Sequence, residues 1–244
     1  AIDGNTDSHS GWVDDKTLVW LDEVLTRAKE EGKAVLTFSH QNLVRHNARF
    51  PFGYTFGNAM EIRELLAGHG VSPNLSGHIH LQHIGSFDEI HEVTTSAFSI
   101  AENHIGVVEI DPERKVTYQV RQLDVAGYAQ AAGLTNPDLL HFGEYSRQYF
   151  RENSMRSMGD KLEMMGISEA DRESMLEAAG EFNLCYFTGR TVGHRAELAA
   201  LPGYALWKKQ PDGMGDYFTF ILDSEKKDET QGEFGPLWLK GETE

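Results

Sequence analysis

The first part of the chain alternates short apolar runs with segments in which apolar residues recur at helical spacing. Residues 14–31 show this spacing between an aspartate N-cap and Gly32, which predicts an amphipathic helix. The apolar run at 34–38 predicts a buried strand. A second helix is predicted from Asn58 to about residue 68 or 70, followed by a strand at 71–75. The predicted order is therefore helix, strand, long loop, helix, strand.

The pattern changes after residue 80. Strand-like runs separated by turn residues predict a mostly antiparallel meander, at 84–87, 91–97, 104–110 and 116–123. From about residue 124 the spacing becomes helical, at 129–132, 145–158, 170–184 and 195–201. The tail from residue 223 is polar apart from Leu237, Trp238 and Leu239. We expect two parts, residues 1–124 and a mainly helical appendage at 125–244.

Composition narrows the function classes. The chain carries 38 acidic against 22 basic residues, a formal net charge of −16. This sign argues against binding to a nucleic-acid polymer or an anionic membrane. No apolar run approaches the ~20 residues that a membrane-spanning helix needs. The one cysteine, Cys185, lies in an apolar run and is interpreted as a buried small hydrophobe.

Two histidine motifs carry the candidate chemistry. Ser39-His40 follows the strand at 34–38, and Gly77-His78-Ile79-His80 follows the strand at 71–75. Gly77 permits a backbone turn before His78 and His80, and this turn is predicted to be the hinge that directs both histidines to one site. A single histidine is most often a surface or core residue. The ordered pair of motifs favours a metal site, because imidazole is a ligand for zinc, iron, manganese and nickel.

This order resembles the C-terminal half of the calcineurin-like metallophosphoesterase family, whose last two motifs are a lone histidine after a strand and Gly-His-x-His. The chain is similar to a bacterial-type phosphohydrolase of that family from about residue 2 to residue 124. The resemblance implies an α/β fold that forms part of an αββα sandwich, namely the second sheet and flanking helices, with a C-terminal helical appendage. It also implies that His40 and His78 bind one metal ion and that His80 binds its neighbour.

The implied reaction is attack of a metal-activated water on a phosphate-ester substrate, with two divalent ions in the intact site. The identity of the metal stays open among manganese, iron, zinc and nickel. Arg45, His46 and Arg49, in the loop after His40, are candidate substrate-binding residues. A solvated loop explains them equally well.

Three further motifs of the family, Asp-x-His, Gly-Asp-x-x-Asp and Gly-Asn-His, precede this segment and are expected to be absent. Partial matches occur at 4–7, at 7–9 and at 159–163, but none follows an apolar strand in the right order. Three imidazoles without a bridging carboxylate do not balance the charge of two dications. We therefore expect this chain alone to hold at most one metal, weakly, and we assign it no certain catalytic residue.

The chain is accordingly expected to be an incomplete, inactive portion of a phosphoesterase. An exposed apolar edge is expected near Ile2 and residues 34–38, covered by a missing N-terminal half or a second chain. The alternative is a non-catalytic binding or scaffolding module that keeps the fold. A mononuclear three-histidine hydrolase is a third possibility. The substrate stays open, and so does the compartment, which could be the cytoplasm or the outside of the cell.

Overall fold

A computed structural model describes residues 1–4, 10–50, 52–210, 213–224 and 227–237. The chain divides into two compact units. The first unit comprises Ala1–Ser96, Gly106–Val120 and the segment from Gln231, and the second comprises Ala97–Ile105 and Arg121–Thr230. Each unit is therefore built from separate stretches of sequence.

The first unit carries two helices and nearly all of the strand residues of the two sheets. Its elements are α1 (Asp15–Glu30), β1 (Thr37–Phe38), α2 (Ala59–His69), β2 (Asn74–Ser76), β3 (His83–Phe87), β4 (Ile90–Thr94), β5 (His104–Ile110), β6 (Lys115–Gln122) and β7 (Gln231–Pro236). Asp14 caps the N-terminus of α1, because its carboxylate accepts a hydrogen bond from the Thr17 backbone N–H at 2.8 Å. It ends before Gly32, which has a φ of 63°.

The first sheet has the strand order β1-β2-β4-β3. β1 and β4 both run parallel to β2, whereas β3 runs antiparallel to β4. The antiparallel pairing predicted after residue 80 is present between β3 and β4, but the meander does not continue, because the other edge of β4 pairs in parallel with β2. The second sheet has the order β5-β6-β7. β7 comes from the tail that the sequence pattern describes as polar, and it pairs antiparallel with β6.

The two faces of the first sheet have different partners. Leu75, Val93 and Ile84 are neighbours in adjacent strands, and they pack in one apolar cluster with side chains of the second sheet, namely Val116, Tyr118 and Phe234. A separate cluster joins α1 and α2 to the loop after β1, through Leu21, Leu25, Ile62, Leu66, Leu43 and Val44. The first unit thus has helices, a first sheet and a second sheet.

The second unit is helical. Its elements are α3 (Val125–Ala131), α4 (Pro137–Leu140), α5 (Phe142–Met164), α6 (Glu169–Phe187), α7 (Thr191–Ala200), α8 (Pro202–Trp207) and α9 (Met214–Ser224). The core centres on Trp207, which is fully buried and donates its indole N–H to the Met175 carbonyl at 2.7 Å. Phe182 and Phe218 pack beside it. α8 and α9 were not predicted from the sequence.

The mixed α/β class, with two sheets and several helices, is confirmed. The assignment to an αββα sandwich and the functional division at residue 124 stay predictions. In the described part of the chain, no helix is long and apolar enough to cross a membrane.

Candidate metal centre

The carboxyl ends of β1 and β2 bring the two histidine motifs together. The strands are parallel neighbours, with Thr37 opposite Asn74 and Phe38 opposite Leu75. Beyond the strands, the His40 carbonyl accepts hydrogen bonds from the backbone N–H groups of Gly77, at 3.2 Å, and His78, at 2.9 Å. The sheet therefore fixes the backbones of His40 and His78 side by side.

The imidazole rings of His40 and His78 face each other. Nδ1 of His78 lies 2.9 Å from Nε2 of His40, and the ring centroids are 4.8 Å apart in a T-shaped arrangement. Nε2 of His78 lies 3.1 Å from the Gly53 carbonyl oxygen, to which it donates. In the neutral ring this leaves Nδ1 of His78 with its lone pair directed at His40.

Electrostatics favour the neutral form of His78. Burial lowers the pKa of this imidazole, and the neighbouring His40 and His80 lower it further, whereas the hydrogen bond to Gly53 acts in the opposite direction. A neutral imidazole is the form that binds a metal ion. The His78 ring is therefore available as a ligand without first losing a proton at neutral pH.

His80 reaches its position through a tight turn. The His80 backbone N–H donates to the Gly77 carbonyl at 2.9 Å, and His80 itself has a φ of 58°. The hinge was predicted at Gly77, but it is His80 that adopts the left-handed conformation, and a Cβ at Gly77 would meet open space. A left-handed residue other than glycine is uncommon and costs about 1–3 kcal/mol. His80 is thus exposed at the end of a strained turn, and its charge acts on His78.

A buried carboxylate lies below the loop that follows His40. The side chain of Glu92, on β4, is fully buried and accepts hydrogen bonds from the backbone N–H groups of Leu43, at 2.9 Å, and Val44, at 2.6 Å. It also accepts from Nδ2 of Asn74 at 2.8 Å and lies 3.0 Å from Nε2 of His46. Sequence reasoning missed Glu92. The signal was present, because Glu92 alternates with Ile90 and Thr94 along the strand and so shares one face with Ile90.

The three candidate substrate-binding residues occupy different environments. The ring of His46 is fully buried, with Nε2 at Glu92 and Nδ1 2.9 Å from Nδ1 of His83. The substrate contact predicted for His46 stays a prediction, and the contacts of its ring in this structure are with Glu92 and His83. Arg45 is exposed and donates to the carbonyls of Asn47 and Ala48, within its own loop. Arg49 is exposed, and its contact with substrate stays a prediction.

The structure brings two imidazole rings together at this strand edge, those of His40 and His78. Among the described residues, no group of three or more His, Cys, Asp or Glu side chains is arranged to hold a metal ion. The partial motif at 7–9, and most of the one at 4–7, fall outside the described residues. The partial motif at 159–163 lies within the long helix α5, which does not provide a strand end.

Comparisons with known proteins concern different parts of the chain. No curated protein matches it. A dimetal phosphatase from Danio rerio is among the similar solved structures, at 18% identity and a TM-score of 0.39, over 46% of this chain. The match covers 36% of the phosphatase chain. Residues 124–228, less than half of this chain, match the family described as the C-terminal domain of cyclic nucleotide phosphodiesterase.

Proposed function

We propose that this chain is the C-terminal portion of a metal-dependent phosphoesterase of the calcineurin-like family. In this proposal His40 and His78 bind one divalent ion and His80 binds the second. The observation that carries it is the pair of facing ring nitrogens, 2.9 Å apart, at the ends of two adjacent parallel strands. The family match at 124–228 supports a phosphoesterase independently of these histidines.

The residues present fit part of such a metal site. Two imidazole nitrogens converge from strand ends, and the lowered pKa of His78 keeps its ring in the ligating form. Bound divalent ions supply Lewis-acid polarisation of the phosphoryl group and a lowered pKa for an attacking water. The hydrogen bond from His78 to the Gly53 carbonyl fixes the orientation of this ring. Arg49 is proposed to contact the substrate phosphate.

The remaining ligands are proposed to come from protein outside this sequence. The backbone N–H of Ile2 donates to the Phe38 carbonyl at 2.8 Å, so the outer edge of β1 already accepts a parallel segment. The Phe38 side chain remains 54% exposed at this edge. We propose that an N-terminal half of the same protein, or a second chain, covers this edge and completes an αββα sandwich.

A phosphodiester is the proposed substrate class. The family that matches residues 124–228 is named for cyclic nucleotide phosphodiesterase, so a cyclic nucleotide is the first substrate to assay. The alternative function is a non-catalytic binding module. It is favoured by the absence, among the described residues, of a third ligand beside the histidine pair.

Metal titration tests the proposal. We expect the purified chain to bind one Zn²⁺ or Mn²⁺ weakly, and no more than one, in isothermal titration calorimetry. His40→Ala and His78→Ala should each lower the affinity at least about tenfold, because each removes one of two donors. His194→Ala is the matched control, since His194 is an exposed histidine on α7 paired with Glu197. Its affinity should equal that of the unmodified chain.

Two outcomes would contradict parts of the proposal. Absence of metal binding by the unmodified chain would favour the binding module. Robust metal-dependent hydrolysis of a cyclic nucleotide by the isolated chain, abolished by His78→Ala, would contradict the incomplete site. We expect no such turnover from the chain alone.

A further inference from the structure

Glu92 lies at the centre of a polar row across the first sheet. Thr37, Asn74 and Glu92 are directly opposite one another in β1, β2 and β4, and Gly85 of β3 is opposite Glu92. Residues in one such row project from the same face of a sheet. This face lies under the buried loop that contains Leu43, so the row is enclosed.

Burying an ionised carboxylate in a sheet is costly unless several donors satisfy it. The Glu92 carboxylate accepts hydrogen bonds from four groups. Two of these are the backbone N–H groups of Leu43 and Val44. These two residues are buried in an irregular loop, where a backbone N–H requires a partner. The carboxylate therefore takes the place of a strand partner for the segment that begins at His40.

The Glu92 carboxylate is also linked to Ser39, the residue before His40, through the side chain of Asn74. Nδ2 of Asn74 donates both to Glu92, at 2.8 Å, and to Oγ of Ser39, at 3.2 Å. Ser39 in turn donates to the Gln41 carbonyl at 2.8 Å. Hydrogen bonds of ordinary length thus connect Ser39 and Gln41, on either side of His40, to Glu92.

A second connection joins the loop to the strand after His80. Nδ1 of His46 lies 2.9 Å from Nδ1 of His83, the first residue of β3, while its Nε2 lies at Glu92. A Cβ at Gly85 would come within 3.1 Å of the His46 ring, so glycine leaves room for this imidazole. The loop is therefore held by two strands of the first sheet, through Glu92 on β4 and through His83 on β3.

We infer that Glu92 is a positioning residue for the histidine pair, acting through the loop at 41–47 and assisted by the His46–His83 contact. This inference rests on the proposed function, because positioning matters only if His40 and His78 bind a ligand together. Outer partners that orient metal ligands typically change metal affinity by about 10–100-fold. Glu92 touches neither ring, and it acts on them through the backbone N–H groups of Leu43 and Val44 and through Asn74.

Glu92→Gln tests the inference, with Co²⁺ alone as the probe. The glutamine side chain has nearly the same shape as that of glutamate. Its NH₂ group cannot accept hydrogen bonds, so some of the groups that donate to Glu92 lose their acceptor. We expect a loss of Co²⁺ affinity of about 10–100-fold, measured by visible absorption. In the metal-free protein, we expect shifted ring resonances for His40 and His78 and faster amide exchange at Leu43 and Val44. Glu113→Gln, at an exposed turn residue, should leave all of these unchanged.

The outcomes separate the two proposals. Unchanged Co²⁺ affinity and unchanged ring resonances in a folded Glu92→Gln variant would overturn the positioning role. If the variant fails to fold, His83→Ala replaces it, because His83 is only partly buried. It should shift the His40 resonance, and an unshifted resonance would overturn the inference. If the unmodified chain binds no Co²⁺, the proposed function fails, and the metal-free resonances still decide the role of Glu92.

Discussion

Replacing Gly203 with alanine should lower the free energy of unfolding of the second unit by about 3 kcal/mol. A Cβ at this position of α8 would overlap the Ser174 carbonyl oxygen and lie 2.5 Å from the Ser174 carbonyl carbon. These atoms belong to the backbone of α6 and cannot rotate away. The Ala178 side chain, at 2.9 Å, closes the remaining space. The helices must therefore move apart around the buried Trp207.

Gly193→Ala is the matched control. Gly193 lies within α7, and a Cβ there would meet nothing within 4 Å. Alanine is a better helix former than glycine, so this change should raise the free energy of unfolding by about 0.5–1 kcal/mol. Urea denaturation followed by circular dichroism measures both effects, and amide exchange of α6 peptides locates them. Equal stabilities of the two variants would contradict the close packing of α8 on α6.

Local patterns predicted the elements that position the histidines. The first motif follows an apolar run that contains β1, and the second follows β2, which overlaps the strand predicted at 71–75. The helix α2 between the two strands was predicted from its amphipathic spacing. The observed strands are shorter than predicted, with β1 at Thr37–Phe38 and β2 at Asn74–Ser76. Alternation and capping residues act over a few neighbours, which is why they could be recognised without the fold.

The strand β7 could not be predicted in this way. Its sequence contains two glycines and a proline, and Phe234 is its one buried residue. It forms a strand because β6 offers an edge for antiparallel pairing, with Val116 opposite Phe234. These two strands are more than one hundred residues apart in sequence, so their pairing produces no hydrophobic periodicity within the sequence of β7 itself.

The contacts of His46 could not be predicted for the same reason. In the sequence, His46 lies in the predicted loop after His40, close to two arginines. This combination led to the prediction that His46 contacts a substrate phosphate. Burial of the ring depends on Glu92 and His83, which come from two other strands. A polar side chain on the inward face of a strand, such as Glu92, is the sequence signal for such a loop anchor.

Glu102→Gln should lower the free energy of unfolding of the second unit by about 2 kcal/mol at pH 7. The Glu102 side chain is 7% exposed and accepts two hydrogen bonds from the Arg190 guanidinium, at 2.8 and 2.6 Å. It also accepts one from Nε2 of His104, at 3.0 Å. Gln keeps the shape but loses one acceptor and the charge. Because Arg190 is 44% exposed, water screens part of this loss, and the estimate stays below that for a fully buried pair.

Glu197→Gln is the control for charge alone. Glu197 pairs with His194 on the exposed surface of α7, and its side chain is 77% exposed. Exposed pairs of this kind contribute about 0–1 kcal/mol. A loss at Glu197 as large as that at Glu102 would show that burial of Glu102 is not the cause.

The effect at Glu102 should also depend on pH. Burial raises the pKa of Glu102, but the His104 hydrogen bond and the charges of Arg190 and Arg147 outweigh it, so the pKa lies below its ordinary value of 4.5. The folded state therefore binds this proton less readily than the unfolded state. The stabilisation is complete above the unfolded pKa and is lost as the pH falls through the lower folded pKa. The difference between the unmodified chain and Glu102→Gln, measured by urea denaturation, should be largest near pH 7 and should shrink below pH 4.5. A constant difference between pH 7 and pH 3 would contradict a charged Glu102 in the folded protein.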